Sequence, residues 1–264
     1  MFTYPFMRDA FIASFFISIL CGVIGVFVIS RRMAFFAHTL SEIGFSGAAF
    51  GILVGVSPIV GMLLFTILSS LLIGAASSQT DHREASISVF SGLFIGLGIL
   101  FLALAKTQAS YATNILFGSI VGIDAGNVRT LVVLSLVILL ILFLVYRSLK
   151  YDSFDKLGAK VNTHRSLWIS ILFLVVLACT VSVTAQIIGS LLIFVLLTIP
   201  ASASRYFVHT VAGMITLSFL FALFGTWFGL YLSYLTNWPV SAFVAILESL
   251  IYGVALIYHH VSEM

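Results

Sequence analysis

Three ionisable side chains lie well inside apolar stretches of this 264-residue sequence: His38, Glu42 and Glu248. On a helix, His38 and Glu42 would share one face, with Cβ atoms roughly 5–6 Å apart. Together they offer an imidazole nitrogen and a carboxylate oxygen, which are ligands that suit Zn²⁺ or Mn²⁺. A charge at the centre of a membrane helix costs roughly 2.5–3.5 kcal/mol on insertion scales, so such residues are functional candidates by default.

Each of these candidates also has a structural interpretation. Two ligands are too few for a tight metal site, but a transport site must release its ion, so weak binding is compatible with a cation path. The alternative for His38 and Glu42 is a structural hydrogen bond near a helix N-terminus. Glu248 stands alone in the last apolar run, where it either stays protonated, bonds to a Ser or Tyr of a neighbouring helix, or joins the ion path.

The composition restricts the class of protein. Hydrophobic residues make up 61% of the chain and charged residues only 8%, whereas soluble domains carry roughly a quarter charged residues. The sequence therefore predicts an integral membrane protein without a cleavable signal peptide, and the long apolar runs favour helices over a barrel. Cys21 and Cys179 lie in apolar runs, which predicts small core side chains rather than a disulfide or metal site.

Long uncharged runs predict the fold. Nine runs of about 18 or more residues qualify as spans, with an uncertainty of about one. We therefore predict one all-α, polytopic membrane bundle of eight or nine transmembrane helices, forming a single domain over 1–264. A further piece, 112–123, is too short to span and is predicted to be re-entrant or interfacial. The predicted spans are 10–30, 38–56, 59–76, 85–105, 129–147, 166–184, 187–205, 210–235 and 240–258.

The distribution of basic residues predicts the orientation. If the 148–165 loop is cytoplasmic, the positive-inside rule is satisfied, with the N-terminus outside and the C-terminus inside. The inner set is then Arg31, Arg32, Arg83, Arg147, Lys150, Lys156, Lys160, Arg165 and Arg205, and the outer set is Arg8, Lys106 and Arg129.

Glycines at four-residue spacing predict close helix packing, although glycine is also simply frequent in membrane helices. The spaced sets are Gly47, Gly51 and Gly55; Gly92 and Gly96; Gly118 and Gly122; and Gly225 and Gly229.

The polar loop 148–165 is too long for a tight turn. Its stretch "SFDKLGAK" predicts a short amphipathic helix with Ser153 as N-cap. Such a helix on the cytoplasmic face could dock into a partner, and the alternative is a solvated loop whose lysines only follow the positive-inside rule. The common signatures of phosphate-loop ATPases, zinc proteases and serine hydrolases do not occur.

Four segments resemble the membrane permease subunits of bacterial ABC importers for zinc, manganese and iron. "RRMAFFAHTLSEIGFSGAAFG" (31–51) is similar to the family's segment with a basic residue followed by G-D-A-L-S-H-A. "YDSFDKLGAKVNTH" (151–164) looks like its F-D-x-x-x-A-x-x-x-G-V cytoplasmic segment. "IIGSLLIFVLLTIPASASRYF" (187–207) and "FGLYLSYLTNWPVSAFVAI" (228–246) resemble the V-G-x-L-L and G-L-Y-L-S-Y motifs. Order and spacing match over nearly the whole chain.

The resemblance implies a permease of the bacterial inner membrane rather than an enzyme, with no cofactor of its own and no nucleic-acid partner. It implies a second permease copy, two ATPase subunits that use ATP at the cytoplasmic face, and an extracytoplasmic metal-binding protein. His38 and Glu42 would line the cation path, and Glu248 is a weaker candidate. The segment 151–164 would be the coupling helix, with Phe154, Asp155, Leu157, Gly158 and Lys160 facing the ATPase.

The sequence departs from the family pattern at four positions. His38 stands where Asp is usual, Glu42 stands where His is usual, Ala37 replaces Gly, and Asn237 replaces the Asp of the fourth motif. The nitrogen and carboxylate of the first motif survive in reversed order, which leaves the identity of the cargo open.

Two other functions would also use these ionisable residues. A secondary transporter would use Glu248 or Glu42 as a proton or cation coupling group, but the chain shows no inverted repeat and has a coupling-like loop. An intramembrane enzyme centred on His38 and Glu42 would lack any recognised catalytic constellation. Both observations favour the importer.

Overall fold

The computed structural model describes residues 5–76, 83–105, 115–116, 118, 123–154 and 163–262. Nine α-helices account for nearly all of these residues. They are α1 (Pro5–Ser30), α2 (Ala34–Val54), α3 (Pro58–Ala76), α4 (Arg83–Leu104), α5 (Ala125–Phe154), α6 (Thr163–Ile188), α7 (Ser190–Phe207), α8 (Val211–Thr236) and α9 (Val240–Ser262).

The predicted all-α bundle is confirmed. Each helix corresponds to one predicted span, and eight are long and apolar enough to cross a membrane, while the apolar stretch of α3, Pro58–Gly74, is shorter. The sixth and seventh spans were predicted to meet at 185–186, but in the structure Gly189 separates α6 from α7. Its φ of 87° is a backbone conformation that favours glycine. The predicted re-entrant piece 112–123 lies largely outside the described residues.

Helix α5 differs from its prediction. It was expected to end at 147 but continues to Phe154, because polar residues of its last turn find partners on other helices. Ser153 was predicted to be the N-cap of a new helix. It is instead a buried residue within the last turn of α5.

The bundle is built around α1 and α6. Their membrane-spanning stretches, and that of α2, are the most buried of the candidate spans. Helix α1 packs against α5, α7 and α8, and α2 packs against α3, α4 and α7. Helices α4 and α9 lie at the periphery, with only a small share of their length buried. Exposed Leu, Val and Ile side chains on these outer helices suit contact with lipid.

Backbone contact at Gly47 and Gly61 holds α2 against α3. A Cβ on Gly47 would lie 2.8 Å from the carbonyl carbon of Gly61, and a Cβ on Gly61 would lie 2.9 Å from that of Gly47. Gly225 and Gly229 of α8 approach Glu248 and Val244 of α9 comparably closely. These contacts confirm the packing predicted for Gly47 in the first set and for both glycines of the last set.

The same prediction is wrong for Gly92 and Gly96. Both are exposed on α4, and a Cβ on either would meet no atom of the described residues within 4 Å. Gly55 does not pack either, since it is the C-cap of α2, with a φ of 79°.

We expect Gly47→Ala to destabilise the protein by about 1–3 kcal/mol, the usual range for overpacking, since the added methyl meets backbone atoms of α3. Thermal unfolding of the purified protein in detergent measures this effect. Gly96→Ala is the matched control and should unfold near the wild-type temperature, because that position is open. Equal unfolding temperatures for the two variants would contradict the backbone contact.

Buried hydroxyl groups mostly bond within their own helices. Thr180 donates to the carbonyl of Val176 at 2.8 Å, and many other buried Ser and Thr hydroxyls reach carbonyls three or four residues earlier. Two pairs also bridge helices: Thr66 with Ser182 at 2.7 Å, and Ser18 with Thr226 at 3.2 Å. These side chains are therefore satisfied without water, as the interior of a membrane bundle requires.

An ion pair establishes which helix ends share a side. Arg31, directly after α1, lies 2.6 Å from Asp152 in the last turn of α5. The contact places the end of α1 and the end of α5 at the same face of the bundle. This agrees with the predicted placement of Arg31, Arg147 and Lys150 on the same side of the membrane.

Candidate functional site

His38 and Glu42 form a pair near the start of α2. Helix α2 begins at Ala34, so His38 lies in its second turn and Glu42 one turn further on. The His38 Nε2 atom is 3.4 Å from Glu42 Oε1, and the side chains are 29% and 16% exposed. The predicted shared face is confirmed, and the pair is neither fully enclosed nor freely solvated.

Two other helices hold the pair in place. The second carboxylate oxygen of Glu42, Oε2, accepts a hydrogen bond from Ser91 of α4. The His38 ring packs on Phe194 of α7, with ring centroids 4.7 Å apart. The segments 31–51 and 187–207, which carry two of the family-like motifs, therefore meet at His38.

Sequence reasoning missed Ser91 and Phe194. Neither has a local signal, because Ser91 is one of many small polar residues and Phe194 is one of 25 phenylalanines. Their roles depend on how α4 and α7 pack against α2, which residue spacing within one helix does not encode.

His38 also carries a polar atom without a partner. Its Nδ1 is buried and has no hydrogen-bond partner among the described residues, which is uncommon for a buried side-chain nitrogen. The two atoms that the pair can offer to one ligand are instead Nε2 of His38 and Oε1 of Glu42, which lie 3.4 Å apart. In the part of the chain that the structure describes, no three His, Cys, Asp or Glu side chains lie close enough together to hold a metal ion. Any divalent ion bound by the pair therefore needs further ligands.

Glu248 occupies a separate place in the bundle. It lies on α9, is fully buried, and neither carboxyl oxygen has a hydrogen-bond partner among the described residues. Gly225 of α8 faces it so closely that a Cβ there would lie 2.8 Å from the carboxyl carbon. The Ser or Tyr partner considered from the sequence is therefore not found, and no described hydrogen bond or ion pair joins Glu248 to His38 and Glu42.

Only Phe154 of the predicted coupling residues lies in the described part of the chain. It is the last residue of α5 and is 40% exposed, and its ring centroid is 6.3 Å from that of Phe27 in α1. Asp155, Leu157, Gly158 and Lys160 lie outside the described residues. The segment 151–164 therefore begins as the end of a long helix.

Asn237, which departs from the family-like pattern, has a backbone role. It is the C-cap of α8 with a φ of 57°, and its N–H donates to the Ser233 carbonyl at 2.8 Å. Asparagine tolerates this left-handed conformation better than most residues. The substitution thus preserves the turn from α8 into α9.

Comparisons with known proteins agree on one family. A sequence model of the ABC 3 transport family matches residues 3–259. A protein of Treponema pallidum named as a probable metal transport system membrane protein is 29% identical, over 94% of this chain and 93% of its own. A manganese transport system membrane protein of Listeria monocytogenes is 26% identical, over 97% of this chain and 91% of its own.

A solved structure shows the same fold. PsaBC from Streptococcus pneumoniae, in complex with Fab, superposes with a TM-score of 0.87. It is 25% identical in sequence, and the match covers 96% of this chain and 91% of the other.

Proposed function

The chain belongs to the ABC 3 transport family, and from that premise we propose that it is the permease subunit of an ATP-driven importer of divalent transition-metal ions. The family match and the apolar helices place it as a multi-pass protein of the bacterial cell membrane. The observation that carries the metal proposal is the His38–Glu42 pair, a nitrogen and an oxygen ligand within a membrane span.

The pair serves as a transient binding site for the ion. Imidazole and carboxylate both accept Mn²⁺, Zn²⁺ and Fe²⁺. Manganese is named for the Listeria relative, which makes Mn²⁺ the first cargo to test. A site with so few ligands binds weakly and can release the ion to the other side of the membrane.

A second copy of the permease completes the site. His38 is 29% exposed on a single chain, and ionisable side chains in a membrane normally face a bundle interior or a water-filled path rather than lipid. If two copies packed against each other through the helix faces that carry His38 and Glu42, both His38–Glu42 pairs would be enclosed. Four ligands would then line one path. Alternating access then takes place between the two copies.

Separate subunits supply the energy and the cargo. The chain has no phosphate-loop sequence, so ATP is hydrolysed by partner ATPase subunits that dock at the cytoplasmic segment 151–164. An extracytoplasmic metal-binding protein delivers the ion to the opposite face. The chain itself is a transporter subunit and needs no bound cofactor.

Reconstitution tests this proposal directly. The permease, its ATPase and its binding protein are placed in liposomes, and uptake of radiolabelled Mn²⁺, Zn²⁺ and Fe²⁺ is compared with and without ATP. We expect ATP-dependent uptake of at least one of these ions. Failure of all three to accumulate in an assembled complex would refute the proposal.

A proton- or cation-coupled secondary transporter is the second candidate, supported by the buried and unpartnered carboxyl of Glu248. Under the importer proposal, Glu248→Gln should keep ATP-driven uptake near the wild-type rate, because glutamine matches the shape of glutamate beside Gly225. Uptake by the reconstituted complex, with and without an imposed proton gradient, measures this.

Two outcomes of this comparison would favour the second candidate. One is gradient-driven uptake by the permease without its ATPase. The other is loss of that uptake in Glu248→Gln. A strong loss of purely ATP-driven uptake would instead place Glu248 on the ion path of the importer.

A further inference from the structure

Arg31 has three hydrogen-bonding partners on two other helices. Its Nη2 donates to Asp152 Oδ2 at 2.6 Å, its Nε to Ser153 Oγ at 2.8 Å, and its Nη1 to Ser170 Oγ at 3.3 Å. The side chains of Arg31 and Asp152 are only 11% and 7% exposed. The planar guanidinium suits such divided binding, which a lysine could not reproduce.

These contacts tie the end of α1 to both helices that flank the 155–162 connection. Asp152 and Ser153 lie in the last turn of α5, while Ser170 lies at the start of the third turn of α6. Ser166 of α6 donates to the other Asp152 oxygen at 2.5 Å. We call Arg31, Asp152, Ser153, Ser166 and Ser170 the Arg31 junction.

Aromatic side chains support the junction. The Arg31 guanidinium carbon lies 4.7 Å from the ring centroid of Phe173 in α6. One turn earlier on α1, Phe27 packs edge-on against Tyr146 and Phe154 of α5, each at 6.3 Å, and against Phe173 at 6.5 Å. The same three helix ends are therefore joined by a polar layer and by an apolar layer.

The neighbouring arginine shows that membrane orientation does not explain Arg31. Arg32 is exposed, as a charge at the membrane surface should be, whereas Arg31 is largely buried. Burial lowers the pKa of the Arg31 guanidinium, and Asp152 opposes that shift. Buried ion pairs often stabilise a fold no better than apolar replacements, so the junction calls for a role besides stability.

The junction is connected to α2 by a very short segment. Arg32 has a φ of 56°, and the N–H groups of Arg32 and Met33 donate back to Ile29 and Val28 at 3.1 and 2.9 Å. Helix α2 starts at Ala34, so only two residues separate it from Arg31. A displacement of Arg31 should therefore move the start of α2 as well.

We infer that the Arg31 junction is a positioning link, which couples movement of the α5–α6 connection to helix α2 and thereby to His38 and Glu42. The inference rests on the proposed function, in which an ATPase docks at that connection and α2 holds the ion. Arg31 touches neither the ion nor the ATPase in this scheme, and it acts by keeping three helix ends in one unit.

The test compares Arg31→Gln with Arg32→Gln in the reconstituted complex of permease, ATPase and binding protein. One readout is Mn²⁺ taken up per ATP hydrolysed. The other is hydrogen exchange over residues 34–44 when nucleotide binds the ATPase. We expect Arg31→Gln to lower uptake per ATP by about tenfold, within the usual range of coupling between sites, and to remove the exchange response of α2. Arg32→Gln should keep both.

Further variants protect the test against misfolding. Arg31→Lys keeps the charge but loses the three-way binding, and Asp152→Asn removes the ion pair with little change in shape, so each should show the same defect more weakly. A purely structural role would reduce assembled complex and lower uptake and hydrolysis together, with their ratio unchanged. That result would overturn the inference.

Failure of the link and failure of the proposed function give different results. If the wild-type complex moves none of the metals, the importer proposal fails, yet the exchange readout still decides the link, because it requires only nucleotide. The link is overturned if α2 gives no exchange response in the wild type, or if Arg31→Gln and Arg32→Gln respond alike.

Discussion

Replacing both His38 and Glu42 with alanine is expected to abolish metal-dependent uptake by the reconstituted complex, while the protein remains folded in the membrane. The double variant removes both ligand types that the pair offers within the span. Loss of a supporting outer-shell group alone costs about 10–100-fold in metal affinity, so loss of the ligands themselves should cost at least that. Each single alanine variant should also show a large defect.

ATP-driven uptake of Mn²⁺ and Zn²⁺ measures the loss, and size-exclusion chromatography reports assembly. His209→Ala is a suitable control, because it removes an exposed histidine in the connection just before α8. Unchanged uptake in the double variant would show that the pair is only a structural contact between α2 and its neighbours.

The order of the two ligands can be tested separately. The variant His38→Asp with Glu42→His restores the order found in the resembled family while keeping one nitrogen and one carboxylate. If the pair binds the ion, this variant should retain uptake and change the preference among Mn²⁺, Zn²⁺ and Fe²⁺. Loss of all uptake would show that Ser91 and Phe194 accommodate only the native order.

Replacing Asp155 and Leu157 together with alanine is expected to uncouple ATP hydrolysis from uptake. The segment 151–164 resembles the family's coupling segment, and under the proposed function Asp155 and Leu157 would supply a charge and an apolar anchor for docking. Loss of an anchor in an interface commonly costs about 2 kcal/mol or more, which would leave hydrolysis running without transport or would prevent assembly.

Uptake per ATP hydrolysed and co-purification of the ATPase distinguish those two forms of the defect. Lys150→Ala serves as the control, because Lys150 is an exposed basic residue just before the segment. Normal coupling and normal co-purification in the Asp155/Leu157 variant would exclude this segment as the docking site.

The helices were predictable because membrane spans are long apolar runs, and such runs form helices wherever they are buried in lipid. The end of α5 was not predictable in the same way. Residues 148–154 are polar and read as a loop, yet Arg31 binds Asp152 and Ser153 and holds this turn in the helix. Contacts between distant residues thus override the local pattern.

The glycine sets show the same limit. Gly47 and Gly92 each begin a pair with four-residue spacing, but only Gly47 meets another backbone. The spacing of glycines predicts which helix face lacks bulky side chains. It does not predict whether another helix packs against that face. His38 and Glu42 were recognisable because helical periodicity alone joins them, whereas Ser91 and Phe194 required the packing of three helices.

The way in which buried hydroxyls bond within their own helices has a consequence for biogenesis. A helix such as α6, whose threonines bond to its own carbonyls, can enter the bilayer from the translocon before it meets a neighbour. Helix α2 is the least apolar of the candidate spans and depends on α4 for a partner to Glu42. Its insertion should therefore wait for α4, so that the helix that carries His38 and Glu42 becomes stable late in synthesis, with part of the chain already in the membrane.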